Sequence, residues 1–242
     1  MDKNSLLYWY PKIKDLGIRT PFTDFVRLSK KELKEYYGGE GDTCSLEALT
    51  IEVSELITNR FDLPVFIRTD EISNKHFWDK ACYVDNLDTL PSHLFEIICC
   101  SKLTDFMGGL PIEAIVVREY IPMNTRFYAF IGNMPVNPER RYFVRDGKVL
   151  CRHPYWIEKS IEKPLHKDLP ENWKELLRIA NAEVDSDELE TLRIAAEKVA
   201  KVMNGFWSVD FCFSASGEWI LIDMAEGEKS WHPEDCKYSK TK

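Results

Sequence analysis

Two apolar stretches near the C-terminus, Phe206–Phe213 and Trp219–Ala225, flank Ser216-Gly217, a strong two-residue turn signal. A hairpin closed by those two residues sets Val209 opposite Met224, Phe211 opposite Ile222 and Phe213 opposite Ile220. That face is wholly apolar and predicts the core side. The same register sets Asp210 directly opposite Asp223, where paired Cβ atoms lie only ~4.5–5.5 Å apart and like charges repel. Three arrangements relieve the repulsion. The register differs, an Arg or Lys from elsewhere pairs with one carboxylate, or a divalent cation sits between them. Hard oxygen ligands of this kind suit Mg2+, which keeps waters and is shared with phosphates. Glu226, three residues beyond Asp223 and expected just past the strand end, is a candidate third ligand.

The upstream sequence predicts strands and helices in runs. Thr23–Leu28 and Val65–Thr69 read as strands. Between them Gly38–Asp42 reads as a loop, and Ser45 as the N-cap of a helix with Leu46, Leu49, Val53, Leu56 and Ile57 at helical spacing. Pro64 ends that helix. A second helix is expected over Ser92–Phe106, closed by Gly108–Pro111. Ile112–Ile121, Arg126–Ile131, Arg141–Val144 and Val149–His153 form a strand-rich stretch, with a turn at Asp146-Gly147. Glu171–Ala182 and Ser186–Met203 read as helices, the latter N-capped by Ser186. Residues 1–44 look mixed, punctuated by Pro11 and Pro21, and residues 237–242 read as a frayed tail. This order predicts an α+β fold with antiparallel sheets.

Composition bounds the chemistry. With 242 residues the chain can bury a core without disulfides. Its 32 Lys and Arg against 40 Asp and Glu give a net charge of −8, which argues against nucleic acid or an anionic membrane as the main partner. Yet Arg118–Arg152 holds seven basic and three acidic residues, a local +4 against −12 for the rest. A compact polyanion that brings its own Mg2+ fits that split. The seven cysteines are odd in number and form no Cys-x-x-Cys, so reduced thiols in the cytoplasm are expected and a zinc site is not. The N-terminal residues lack a signal-peptide core, and no apolar run approaches the ~18–20 residues that span a bilayer.

Val209-Asp210-Phe211, Gly217-Glu218-Trp219 and Leu221-Ile222-Asp223 together resemble the C-terminal metal-binding hairpin of ATP-grasp enzymes. The resemblance covers roughly residues 60–236, and is nearest to a divergent branch of short phage- and bacteria-associated proteins. It implies two α+β subdomains whose antiparallel sheets clasp ATP with Mg2+. By the same resemblance, residues 1–60 form a short N-terminal region and 61–236 the core, with a hinge at 117–122. Asp210, Asp223 and Glu226 then hold Mg2+, Glu226 standing in for the Asn missing from the family's usual Glu-x-Asn ending. Arg68 and Lys75 grip the triphosphate, and Glu119, Tyr120 and Ile121 lie where the hinge backbone reads adenine. Arg141 stabilises the transferred phosphoryl group, and Arg126 is a candidate for a carboxylate-bearing substrate. The implied activity is ligation of a carboxylate to an amine or related nucleophile through an acylphosphate.

Two departures stand out. Thr69–Trp78 contains no glycine where the family has a glycine-rich phosphate loop, and the N-terminal region is short. Substrate choice then falls to core loops or to a protein partner. They lend weight to an alternative: a nucleotide-binding assembly factor without turnover, since the superfamily includes a eukaryotic translation-initiation assembly chaperone. Beside these roles stand plain structural ones, such as Arg68 as an edge-strand charge and Glu119 paired with Arg118 or Arg126. His153–Trp156 reads as aromatic core or as the lining of a substrate cleft.

Overall fold

The computed structural model describes residues 2–29, 43–108, 112–162, 169–182 and 185–239. The expected loop at Gly38–Asp42, the side chain of Ser45, the Gly109–Pro111 turn and the last three tail residues lie outside them. The chain divides into two compact units. The first comprises Met1–Thr20, Pro122–Ala129 and Pro135–Lys242; the second, Pro21–Ile121 and Phe130–Met134. Residues 1–60 are thus shared between the units, and one crossing, Ile121 to Pro122, falls within the stretch expected to be a hinge.

In the second unit, strands β1 (Thr23–Arg27), β2 (Val65–Thr69), β3 (Tyr83–Val84) and β4 (Ala114–Glu119) form an antiparallel sheet in the order β1-β4-β2-β3. Helix α2 (Thr43–Arg60) buries Leu49, Val53 and Ile57, spaced one turn apart, against the sheet's Val26, Ile67 and Val117. After the short helix α3 (Trp78–Ala81), α4 (Leu90–Phe106) adds Leu94, Ile97 and Ile98 to the same core. Asp70, fully buried, accepts from the backbone N–H groups of Glu113 and Ala114 and so fixes the start of β4.

His93 on α4 is 6% exposed, and burial holds its pKa below the ordinary value. The unfolded chain therefore takes the proton first, near pH ~6.5. Stability is expected to fall as pH drops through that value, and His93→Leu to flatten the slope between pH ~7 and ~5 in urea titrations.

In the first unit, β7 (Glu139–Arg145), β8 (Lys148–Pro154), β9 (Phe206–Phe213) and β10 (Trp219–Glu226) form a second antiparallel sheet, ordered β10-β9-β7-β8. The strands β5 (Phe127–Ala129) and β6 (Met134–Val136) make a separate two-stranded ribbon. Short α5 (Glu158–Ile161) and α6 (Trp173–Asn181) precede α7 (Ser186–Val202), which buries Leu192, Ala196 and Val199. Its N-cap is Asp185, not Ser186: the carboxylate accepts from the N–H groups of Asp187 and Glu188, both at 2.9 Å. A charged cap also complements the helix dipole.

Helix α1 (Leu6–Ile13) was not expected. Ser5 caps it, Leu6, Trp9 and Ile13 are fully buried along one stripe, and Pro11 sits within it on the exposed side. Burial of that stripe outweighs the hydrogen bond a mid-helix proline forfeits. No helix among the described residues is long and apolar enough to cross a membrane.

Candidate functional site

The β9–β10 hairpin sets Asp210 opposite Asp223, as the alternation demands, but by a different route. Its loop has three residues, Ala215-Ser216-Gly217, because the Ser214 N–H bonds to the Glu218 carbonyl at 2.8 Å and Gly217 adopts a φ of +85°. This shifts the upper rungs by one residue: Phe213 faces Trp219 and Phe211 faces Leu221. A bulge at Ile222 restores the expected register at Asp223–Asp210 and Met224–Val209. Phe211–Ile222 and Phe213–Ile220 are therefore not pairs. Ile222 is only half-buried, so the apolar face is less continuous than expected.

On the neighbouring strand β7, Arg141 stands opposite Asp210. Arg141, Asp210 and Asp223 thus form a row across three strands on one sheet face. The guanidinium grips Asp210 at both oxygens, Nε to Oδ1 at 2.8 Å and a terminal nitrogen to Oδ2 at 2.7 Å. Its other terminal nitrogen donates to the Trp231 carbonyl at 3.3 Å, and the group lies 4.6 Å from the Tyr155 ring centre. Burial works against the charge, but the Asp210 carboxylate outweighs it and raises the Arg141 pKa. The sequence reading set Arg141 against a phosphoryl group; in this structure its counter-ion is Asp210. Asp223, half-buried, also accepts from the Met224 N–H at 3.0 Å.

Glu226 does not join this row. Strand β10 continues through it, and with Asp223–Asp210 to Glu226–Trp207 paired without interruption, alternation turns its side chain to the opposite face from Asp223. There it meets Lys3 at 3.4 Å, Lys229 at 3.5 Å and the Asn4 amide at 3.3 Å, while its N–H donates to Asn4 at 2.7 Å. The expectation that Glu226 is a third ligand beside Asp223 is corrected by this placement.

The second unit gathers the expected phosphate-binding cations. Arg68 on β2 is 5% exposed, so it is not an edge charge, and it donates to the carbonyls of Thr69 and Glu71. Arg118 on β4, opposite Phe66, projects from the same sheet face, which makes a pair of buried guanidiniums. Arg118 Nε donates to the Thr23 hydroxyl at 3.2 Å, and its place on the face of Arg68 was legible from period-two alternation. Lys75 opens a short 3-10 turn, Lys75–Phe77. Burial pushes the Cys82 thiol up to about 12, and the positive charges of Lys75 and Arg68 act on it from nearby.

In the glycine-free loop, Asn74 takes the left-handed conformation, with φ of +48°. Asn tolerates that region better than other non-glycine residues. The nearby glycine is instead Gly132, between β5 and β6: its N–H donates to the His76 carbonyl at 3.0 Å, and its carbonyl accepts from the Asp79 N–H at 3.0 Å. A Cβ there would collide with the backbone of Phe77 and Trp78. Gly132→Ala is expected to displace the Lys75–Trp78 segment and cost ~1–3 kcal/mol, read as a lower unfolding midpoint. A shift below ~0.3 kcal/mol would show that the contact gives way freely.

Tyr120 packs edge-on against Tyr83, with ring centres 5.0 Å apart. Glu119 exchanges hydrogen bonds with Phe22: its carboxylate accepts from the Phe22 N–H at 3.0 Å and its own N–H donates to the Phe22 carbonyl at 2.8 Å. Ile121 follows β4 and is half-buried. Arg126 is exposed, and its backbone N–H donates to Val136. His153, Pro154 and Trp156 line a cleft of about 490 Å³ in the first unit with Lys174 and Arg178.

Residues 56–241 match the model of an ATP-grasp domain family, the third family of its clade. The chain belongs to the ATP-grasp proteins. Its two antiparallel sheets with flanking helices are the α+β architecture of that superfamily. Among solved structures, Cdc123 from Schizosaccharomyces pombe is similar, with a TM-score of 0.54 and 12% identity over 93% of this chain and 83% of that one. N5-carboxyaminoimidazole synthase from Aspergillus clavatus gives a TM-score of 0.50 and 11% identity, over 92% of this chain but only 44% of the synthase. At such identities the likeness establishes the fold alone. No curated protein sequence matches the chain. Membership in an ATP-grasp family implies ATP binding.

Proposed function

We propose that this ATP-grasp protein is an ATP- and Mg2+-dependent ligase that joins a carboxylate to an amine or related nucleophile. The observation that carries the proposal is the row Arg141–Asp210–Asp223, in which two carboxylates stand directly opposite one another and Arg141 grips the first. Two carboxylates on one sheet face, on neighbouring strands, are hard oxygen donors of the kind that fits Mg2+. Asp210 and Asp223 are the residues that would hold it. Bound Mg2+ supplies neutralisation of phosphate charge as the phosphoryl group moves.

The chain's own groups supply the rest. Asp210 spends one lone pair of each oxygen on Arg141, and a carboxylate has about four such sites, so it can still accept elsewhere. Arg141 holds the Asp210 carboxylate by both oxygens and so aims it along the row. Three of its five N–H donors are used among the described residues, and the other two are proposed to meet the transferring phosphoryl oxygens. Arg68 and Lys75 are proposed to bind the triphosphate, and the backbone of Glu119, Tyr120 and Ile121 the adenine edge. Arg126 is proposed to meet a substrate carboxylate. A substrate carboxylate oxygen attacks the γ-phosphorus as ADP leaves. The amine then attacks the acyl carbon of the acylphosphate and inorganic phosphate leaves.

An ADP-release assay with pooled amino acids and small carboxylates tests the reading. ADP formation that depends on an acceptor is the expected result. Tight Mg-ATP binding with no turnover under any acceptor would instead favour an ATP-binding assembly factor, a reading supported by Asn74 standing where a phosphate loop has glycine. Mg-ATP at 100 times its Kd is expected to stabilise the protein by ~2.7 kcal/mol in a thermal scan. No shift would count against both readings.

A further inference from the structure

The same sheet face carries a second constellation. Cys151 and His153 lie two residues apart on β8, so both project from one face, opposite Phe143 and Arg141 respectively. The segment after β10 crosses this face. Ser230 bonds to Ser208 at 2.6 Å, and the His232 ring stacks on Phe143 at 3.9 Å, nearly parallel. A turn in which the Cys236 N–H bonds to the Pro233 carbonyl at 3.1 Å folds Cys236 back beside them. One ligand atom from each of Cys151, His153, His232 and Cys236 lies within 4.8 Å of all the others. The His232 Nε2 is 3.2 Å from the Cys151 sulfur. His153 Nε2 is buried and has no hydrogen-bond partner among the described residues.

We propose that Cys151, His153, His232 and Cys236 form a tetrahedral Zn2+ site that fastens the C-terminal segment to β8. Zinc bonds of ~2.3 Å to sulfur and ~2.0–2.1 Å to nitrogen place tetrahedral ligands about 3.3–3.8 Å apart. The four atoms reach that spacing with side-chain adjustments of about an ångström. Two thiolates and two imidazoles select zinc over the hard cations that Asp210 and Asp223 suit. Four protein ligands close the coordination shell, so this site is structural rather than catalytic. It does bear on the candidate site, because the residue before His232 supplies the carbonyl that Arg141 contacts.

The proposal departs from the sequence expectation, in which ligand spacing indicates no zinc site. No Cys-x-x-Cys occurs, but Cys-x-His on a strand and His-x-x-x-Cys on a turn meet across 85 positions of sequence.

The test uses the full chain, purified without a polyhistidine tag. About one zinc per chain should survive gel filtration. With Co2+ in its place, thiolate-to-metal charge transfer and strong tetrahedral ligand-field bands should appear. Cys151→Ser with Cys236→Ser should abolish both, whereas Asp210→Asn with Asp223→Asn should keep the zinc. Absence of zinc with a weak octahedral Co2+ spectrum would overturn the proposal. So would a Cys151–Cys236 disulfide in the purified protein, zinc retained in the double serine variant, or zinc lost in the double asparagine variant. If the serine variant fails to fold, the Co2+ spectrum of the unaltered chain decides, since it reports the two thiolates directly.

Discussion

Asp210→Asn combined with Asp223→Asn is expected to weaken Mg-ATP binding by more than ~100-fold. Each charged acceptor lost is worth ~1.5–3 kcal/mol, and ~1.4 kcal/mol is a factor of ten. Asparagine retains an oxygen for Arg141 but not its counter-charge, so circular dichroism first establishes that the variant is folded, and the loss of affinity is read in the folded protein. Isothermal titration at several Mg2+ concentrations reads both affinity and its metal dependence. Unaltered affinity and Mg2+ dependence would remove the two aspartates from the metal site and take the ligase proposal's main support with them.

The second large effect concerns stability. Arg141 and Asp210 have side chains only 13% and 6% exposed. Breaking such a pair from one side typically costs ~3–5 kcal/mol, because the remaining charge is left buried. Arg141→Met leaves Asp210 facing Asp223 with no guanidinium between strands β7 and β9, so a loss in that range is expected in urea titrations. Excess Mg2+ should recover part of it, since the two carboxylates would then share a cation. Adding Asp210→Leu to Arg141→Met should also recover stability, as both members of the pair are then apolar. A loss under ~1 kcal/mol, typical of exposed pairs, would show that water reaches the guanidinium freely.

The pairing of Asp210 with Asp223 was legible because apolar alternation on two strands leaves few registers. What the alternation could not carry was the bulge at Ile222, since a three-residue loop and a bulge cancel one another at the aspartates and differ only between them. The antiparallel α+β class followed from the order of elements. Arg141 was legible as a candidate, but its pairing with Asp210 was not, because strand order within a sheet does not follow from local pattern. Glu226 was misplaced for a similar reason: Lys3 and Asn4, more than 220 residues away in sequence, receive it. The four-residue Cys and His cluster stayed hidden because its halves carry half a motif each. Helix α1 was hidden by Pro11, whose cost is local while the burial of Leu6, Trp9 and Ile13 is tertiary.

The division of the chain has a consequence for its birth on the ribosome. The second unit draws on Pro21–Ile121 and the short piece Phe130–Met134, so most of it emerges in one continuous stretch. The first unit is made from Met1–Thr20, the short piece Pro122–Ala129 and Pro135–Lys242. At ~5–20 residues per second, Tyr8 on α1 waits some ~10–40 s for Trp207 on β9, the ring it stacks on, to be made. The order of synthesis therefore runs against the order of assembly: helix α1 leaves the tunnel well before the strands of its own unit, and its apolar stripe is the surface a nascent-chain chaperone would meet.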